Sequence, residues 1–226
     1  MASWNIFRYA ADFSHAISLI LLLYKLQKHK SVEGISLKTQ LLYLIVFCCR
    51  YVDIFWNYKL MYNNIFKIFY VSITAYLCYL IGIKYKSTYQ KDQDRFKLWW
   101  AIVPSVILGI IFNSNHKKPF EYIYAFTLFL ESVAILPQLI MLIEQEEIEN
   151  LTGEYIFFLG LYRALYILNW IYRFFTEKNY RAWVTWVCGL IQTALYSDYI
   201  YQFFKAKTKG RKLSLQVDVE DDPSSS

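Results

Sequence analysis

Five basic residues, Arg8, Arg50, Lys67, Arg163 and Arg173, and five acids, Asp12, Asp53, Glu121, Glu131 and Asp198, stand inside stretches built mostly of aliphatic and aromatic side chains. A charge at the centre of a bilayer costs at least ~2.5–3.5 kcal/mol on the insertion scale. Such groups must therefore face one another or a water-filled cavity. Helical spacing sorts them by face. Arg8, Asp12 and His15 stand at i, i+4 and i+7, and Arg50 and Asp53 at i and i+3. Glu121, Tyr124, Leu128 and Glu131 follow one stripe. Tyr162, Tyr166, Asn169 and Arg173 follow another, with Arg163 and Trp170 beside it. The chemistry this set can do is anion recognition, because a guanidinium fork pairs with a planar carboxylate better than an ammonium does. Arginines at two depths with a carboxylate near the mouth suit an anionic guest that carries a cationic group at its outer end. No metal-ligand spacing, nucleophile elbow or phosphate loop accompanies them, so neither an enzyme nor a metal or cofactor site is expected.

The elements that must position these residues are membrane helices. Of 226 residues 57% are hydrophobic and 20% aromatic, against 19% charged. That is more apolar surface than a soluble domain of this length buries, and it falls in blocks near the ~20 residues that span a hydrocarbon core. We place seven spans at roughly 6–26, 38–57, 60–83, 97–114, 119–143, 152–175 and 181–204. Cys48, Cys49, Cys78 and Cys188 lie inside these blocks and read as small hydrophobes. The net charge of +6 fits basic cytosolic loops rather than nucleic-acid binding. Without a cleavable signal peptide, the first helix is expected to act as a signal anchor. Lys and Arg crowd the loops on one side and the C-terminal tail. The positive-inside rule then puts the N-terminus in the lumen and the C-terminus in the cytosol. The acidic loop at 144–154 reads as a solvated turn.

Arg50 and Arg163 each precede aromatic and amide residues, a weak internal echo. With the fourth span as a linker, spans one to three and five to seven would form two parallel three-helix repeats. This is the three-plus-one-plus-three, or PQ-loop, arrangement of sugar transporters, and Pro137–Gln138 points the same way. The expected division is a seven-helix domain over 1–205 with a lumenal pocket, and a cytosolic, disordered tail over 206–226, basic and then acidic. Plain alternatives remain at this stage: an intrahelical Arg8–Asp12 ion pair, a hydrogen-bonded core role for His15, structural pairing for Lys67 and Asp198, and solvated loop positions for His29 and His116. A small-solute transporter would share the architecture.

Longer motifs narrow the choice. NIFR at Asn5–Arg8, DFSH at Asp12–His15, EGISLKTQ at Glu33–Gln40 and VFCCRYVD at Val46–Asp53 appear in order. LESVAILPQL at Leu130–Leu139, GLYRALYILNW at Gly160–Trp170 and KGRKLSL at Lys209–Leu215 follow. This series, covering about residues 5–215, resembles the KDEL (HDEL) receptor family. The resemblance implies a sorting receptor in Golgi and endoplasmic reticulum membranes. Such a receptor captures escaped soluble endoplasmic reticulum proteins by a C-terminal KDEL-like tetrapeptide in the acidic Golgi, returns them through coatomer, and releases them at neutral pH.

The resemblance also implies roles. Arg50, near Tyr51, would bind the peptide's terminal carboxylate, and Arg163 would draw it inward. Arg8 and Arg173 would bind acidic side chains of the signal. Glu121 would bind the basic first residue, and Trp170 would line the pocket. His15 would sense pH above Tyr162 and Glu131. Asp12, Asp53, Tyr166, Asn169 and Asp198 are read as structural or relay positions. Lys205, Lys207, Lys209, Arg211 and Lys212 would form a retrieval signal for coatomer, next to a membrane of anionic lipid. Ser214 follows Arg211 and Lys212 at basophilic-kinase spacing. Two departures stand out: Tyr124 where many members carry Trp, and the tail extension VDVEDDPSSS. An extended tetrapeptide spans about 13–14 Å, a little under half of a ~30 Å hydrocarbon core.

Overall fold

In hydrocarbon a backbone must satisfy its own N–H and C=O groups, so apolar blocks wind into helices. A computed structural model describes residues 5–55, 61–113, 118–145, 148–177, 182–208, 213 and 215, apart from the side chains of Asp53, Phe55 and Lys207. These form α1 (Ile6–His29), α2 (Leu37–Arg50), α3 (Met61–Tyr79), α4 (Trp99–Ile111), α5 (Pro119–Val133), α6 (Leu136–Ile143), α7 (Asn150–Thr176) and α8 (Trp183–Thr208). Among the described residues the only β pairing is an isolated antiparallel bridge between Ile148 and Leu213. By length and composition, four segments can cross a membrane: Ile6–His29, Met61–Lys84, Pro119–Ile143 and Asn150–Thr176; Trp99–Ile111 is a shorter apolar helix.

Each expected span has a helical counterpart, and the differences have local causes. The second span leaves α-geometry at Arg50 and continues as a 3-10 turn, Tyr51–Phe55. The third ends in a π turn, Leu80–Lys84. The fifth is broken between α5 and α6. Pro137 has no N–H to give to residue 133, and its ring opposes an uninterrupted helix there. Capping residues fix two starts: the Asn5 side chain accepts from the Arg8 N–H, and Ser36 accepts from Thr39. Lys30, at φ 51°, closes α1 in the left-handed region.

Helix α1 packs on α7, α2 on α3 and α5, α5 on α4 and α8, and α7 on α8. The interior holds Leu19, Leu22, Leu26, Leu42, Phe47, Ile135, Tyr155 and Tyr196. Ile65, Ile68, Trp99, Val103, Ile107 and Leu190 face outward, as expected of a surface solvated by lipid. All four cysteines are free thiols; Cys188 is buried and Cys48 lies on the outer surface.

The acidic loop before α7 is more than a solvated turn. The buried Lys25 ammonium reaches Glu149 at 2.9 Å, Thr152 Oγ1 at 2.5 Å and the Glu33 carbonyl at 2.9 Å. His29, expected to be solvated, stands 3.2 Å from the other Glu149 oxygen. A buried cation needs such partners, and here they tie the end of α1 to the start of α7. Gln138 does the same for α2: its side chain accepts from the Ser36 N–H and donates to the Gly34 carbonyl, while its N–H donates to Thr39 Oγ1. Asp94 anchors the loop before α4, accepting from Ser36 Oγ at 2.9 Å and Tyr89 at 2.6 Å. Burial, and then this bond to a carboxylate, push the Tyr89 hydroxyl pKa upward.

Candidate functional site

A cavity of about 350 Å³ lies between α1, α2, α3, α5, α7 and α8. Thirteen residues singled out from the sequence bound it: Arg8, Asp12, His15, Arg50, Tyr51, Tyr124, Glu131, Tyr162, Arg163, Tyr166, Asn169, Trp170 and Arg173. From Arg173 to Arg163 along α7 is about 15 Å at the helical rise per residue.

The floor is a charge cluster. Arg50 Nη1 donates to Glu131 Oε2 at 2.5 Å, and Arg163 Nη2 lies 2.7 Å from Glu131 Oε1. Tyr162 also donates to that oxygen at 3.2 Å and accepts from Arg163 at 2.8 Å. The Glu131 and Arg163 side chains are 7% and 8% exposed and that of Arg50 is 17% exposed, so one buried carboxylate is shared by a buried guanidinium and a partly buried one. Arg50 Nε is held by Thr127 Oγ1 at 3.1 Å, which in turn donates to the Tyr124 carbonyl. The remaining nitrogen, Arg50 Nη2, is buried without a hydrogen-bond partner. In a buried site an unmet charged donor is costly, and Arg50 is one of the residues that bound the cavity. His15 is sandwiched between Tyr70 and Tyr162, with ring centroids at 4.5 and 4.3 Å.

Nearer the mouth, Asp12 accepts from Tyr166 at 2.5 Å and Tyr62 at 3.2 Å. Arg8 donates to Asn63 at 3.0 Å, and Asn5 donates to Asn169 at 2.7 Å. Arg173 forms two 3.0 Å bonds with Glu177, one turn on. Among the described residues the wall holds Arg8, Arg50, Lys67, Arg163 and Arg173 against Asp12 and Glu131, with Glu177 paired to Arg173 just outside it. With His15 neutral the wall is therefore net +3, and it attracts anions.

Other predicted residues lie elsewhere. Glu121, in the first turn of α5, is not part of the cavity wall. Asp198 lies exposed on α8 and away from the cavity, so a relay role there has no geometric support. The Asp53 and Lys207 side chains and all of Lys209, Arg211, Lys212 and Ser214 lie outside the described residues, while Lys205 is exposed at the end of α8. The structure adds Tyr62, Asn63, Phe66, Lys67 and Tyr70 of α3, with Lys67 Nζ 5.9 Å from the Tyr51 ring centre. Lys67, expected in a structural role, lies in the cavity wall. Their spacing was a readable helical stripe. Thr185 of α8 also joins the wall, and no charge announced it.

Comparison with known proteins places the chain in one family. Residues 31–173 match the family model described as ER lumen protein retaining receptor. The chain is 47% identical over 212 residues to the ER lumen protein-retaining receptor of Entamoeba histolytica, covering 94% of this chain and 99% of that one. It is 45% identical over 213 residues to receptor A of Arabidopsis thaliana, and 43% identical over 212 to receptor 2 of Homo sapiens. In both cases 93% of this chain and 99% of the relative are covered.

Proposed function

Since the chain belongs to the ER lumen protein-retaining receptor family, we propose that its pocket binds the C-terminal KDEL- or HDEL-like tetrapeptide of escaped endoplasmic reticulum proteins. Binding takes place from the lumen in the acidic Golgi, and the loaded receptor returns through coatomer to release its cargo at neutral pH. The observation that carries this reading is a net-positive cavity with Arg50 at its floor, whose guanidinium keeps one nitrogen, Nη2, without a hydrogen-bond partner. A terminal carboxylate is the group that completes it. The Arg173–Arg163 depth of about 15 Å accommodates an extended tetrapeptide of about 13–14 Å.

Arg50 and Tyr51 receive the terminal carboxylate, helped inward by Arg163. Arg8 and Arg173 receive the acidic side chains, and Trp170 packs beside them. Glu121, three residues before Tyr124 and on the same face of α5, selects the first residue from outside the cavity proper. The chain crosses the bilayer seven times, with its N-terminus lumenal and the basic tail cytosolic. Two parallel three-helix repeats around the α4 linker are supported by a constant register. Arg163 follows Arg50, Gln138 follows Lys25, and Thr152 follows Thr39, each by 113 positions. Lys25 holds the start of α7 as Gln138 holds the start of α2.

Titrating purified receptor at mildly acidic pH with a fluorescent peptide ending in KDEL tests the reading. Binding is expected, with amidation of the terminus abolishing it. Arg50→Ala should cost roughly 2–5 kcal/mol, about 30-fold or more in affinity. Equal binding of free and amidated peptides would overturn the assignment.

A further inference from the structure

Helix α8 contributes one stripe to the site. Thr185 bounds the cavity, Gly189 follows four residues later, and Gln192 donates to the Tyr162 hydroxyl at 3.5 Å. Tyr196 shares a 3.1 Å hydrogen bond with Tyr43. Gly189 is the unusual member. A Cβ built there would lie 2.2 Å from Trp170 Cζ3 and 2.6 Å from Cη2, far inside van der Waals contact. The Trp170 indole therefore sits directly on the α8 backbone, in a notch that only glycine leaves open. The indole is 6% exposed, borders the cavity, and meets Tyr166 on one side and Trp186 on the other, both at 6.1 Å between ring centres. Small residues commonly let membrane helices approach closely. Here the small residue admits the wall of a binding site.

We propose that Gly189 is a positioning residue for signal recognition: it seats the Trp170 indole against α8 and thereby sets the width of the cavity between α7 and α8. This rests on the receptor reading above. Any larger side chain at 189 displaces the indole by more than 1 Å, toward Tyr166 and the space the peptide occupies, or pushes α8 away from α7. Misplacements of that size at an ordered site are expensive, and overpacking a close interface leaves little room to relax.

The test is a double-mutant cycle on the full-length protein in detergent, reading both affinity for the KDEL-ending peptide and melting temperature. Gly189→Ala should weaken peptide binding about ten-fold or more, while the protein remains monodisperse. Trp170→Phe removes the ring carbons that clash, and alone should lose part of the affinity. Gly189→Ala combined with Trp170→Phe should bind as well as Trp170→Phe alone, so the alanine costs nothing once the indole is gone. Wild-type affinity in Gly189→Ala would overturn the proposal, and so would a loss that persists undiminished in the double variant. If Gly189→Ala does not stay folded, Gly189→Ala with Trp170→Phe should fold and bind, and its failure to do so likewise overturns the seat. Wild-type protein that binds no tetrapeptide would overturn the receptor reading and the recognition role with it. The melting cycle would then still decide whether Gly189 seats the indole.

Discussion

Glu131 is shared by Arg50 and Arg163, and His15 lies within the same cluster, stacked on Tyr162. A peptide that brings three carboxylates to this arginine-rich wall adds negative charge beside His15. The protonated imidazole is then better stabilised in the bound state than in the empty one. Linkage fixes the sign: protons are taken up on binding, and affinity rises as pH falls from about 7 to about 6. His15→Ala is expected to bind weakly at every pH and to flatten that dependence in a peptide titration. An unchanged slope would remove His15 from the mechanism. Arg50, Arg163, Glu131 and His15 were legible in the sequence because a charge in an apolar block must have a reason, and helical spacing supplied its face. Lys67 was read as structural because a lone cation at the middle of a span carries no spacing partner of opposite sign. Thr185 and Gly189 were not legible, since neither hydroxyl nor hydrogen costs enough in a helix to mark a site.

The elements were legible from their apolar blocks, and their junctions were not. Lys25 lies near the end of its span, where a lysine ordinarily reaches toward the headgroups. Only the fold reveals that it is buried under the start of α7. Gln138 was noticed with Pro137, but its grip on Ser36, Gly34 and Thr39 depends on the break that Pro137 places between α5 and α6. Lys25→Met should therefore destabilise the protein. Glu149 is 41% exposed, so it would be rehydrated rather than stranded. The cost should thus be about 1–3 kcal/mol, the loss of a buried hydrogen-bonded group, rather than the larger penalty of a fully buried unpaired charge. Gln138→Leu should cost a similar amount, since it leaves the Ser36 N–H and Gly34 carbonyl buried and unmet. Melting temperatures of the purified variants would measure both. Two near-wild-type values would mean that the two contacts do not hold the helix starts.

At the scale of the whole molecule, α8 joins the pocket to the tail. Its first half carries Thr185, Gly189 and Gln192 against the site, and its last turn carries Lys205. Beyond it, the backbone of Leu213 accepts from the Ile148 N–H at 2.7 Å, one residue before the Glu149 that Lys25 holds. A displacement of α8 at Trp170 could thus reach both ends of the basic segment, at Lys205 in the last turn of the helix and at Leu213, which is bonded to the acidic loop. A lipid anchor alone, at ~1 kcal/mol for each basic residue near the surface, would leave retrieval insensitive to which lysines remain so long as some positive charge is kept. A coatomer signal would not. Replacing Lys205, Lys207 and Lys209 with Ser is expected to leave tetrapeptide affinity unchanged in purified protein while the receptor accumulates in the Golgi of cells given excess cargo. Replacement by Arg keeps the charge, and it should fail in the same way if the signal reads lysine and succeed if it reads charge. Normal retrieval by the Ser variant would leave the tail as a membrane anchor. A parallel loss of peptide affinity would instead mean that the lysines act on the pocket through α8 rather than on a cytosolic partner.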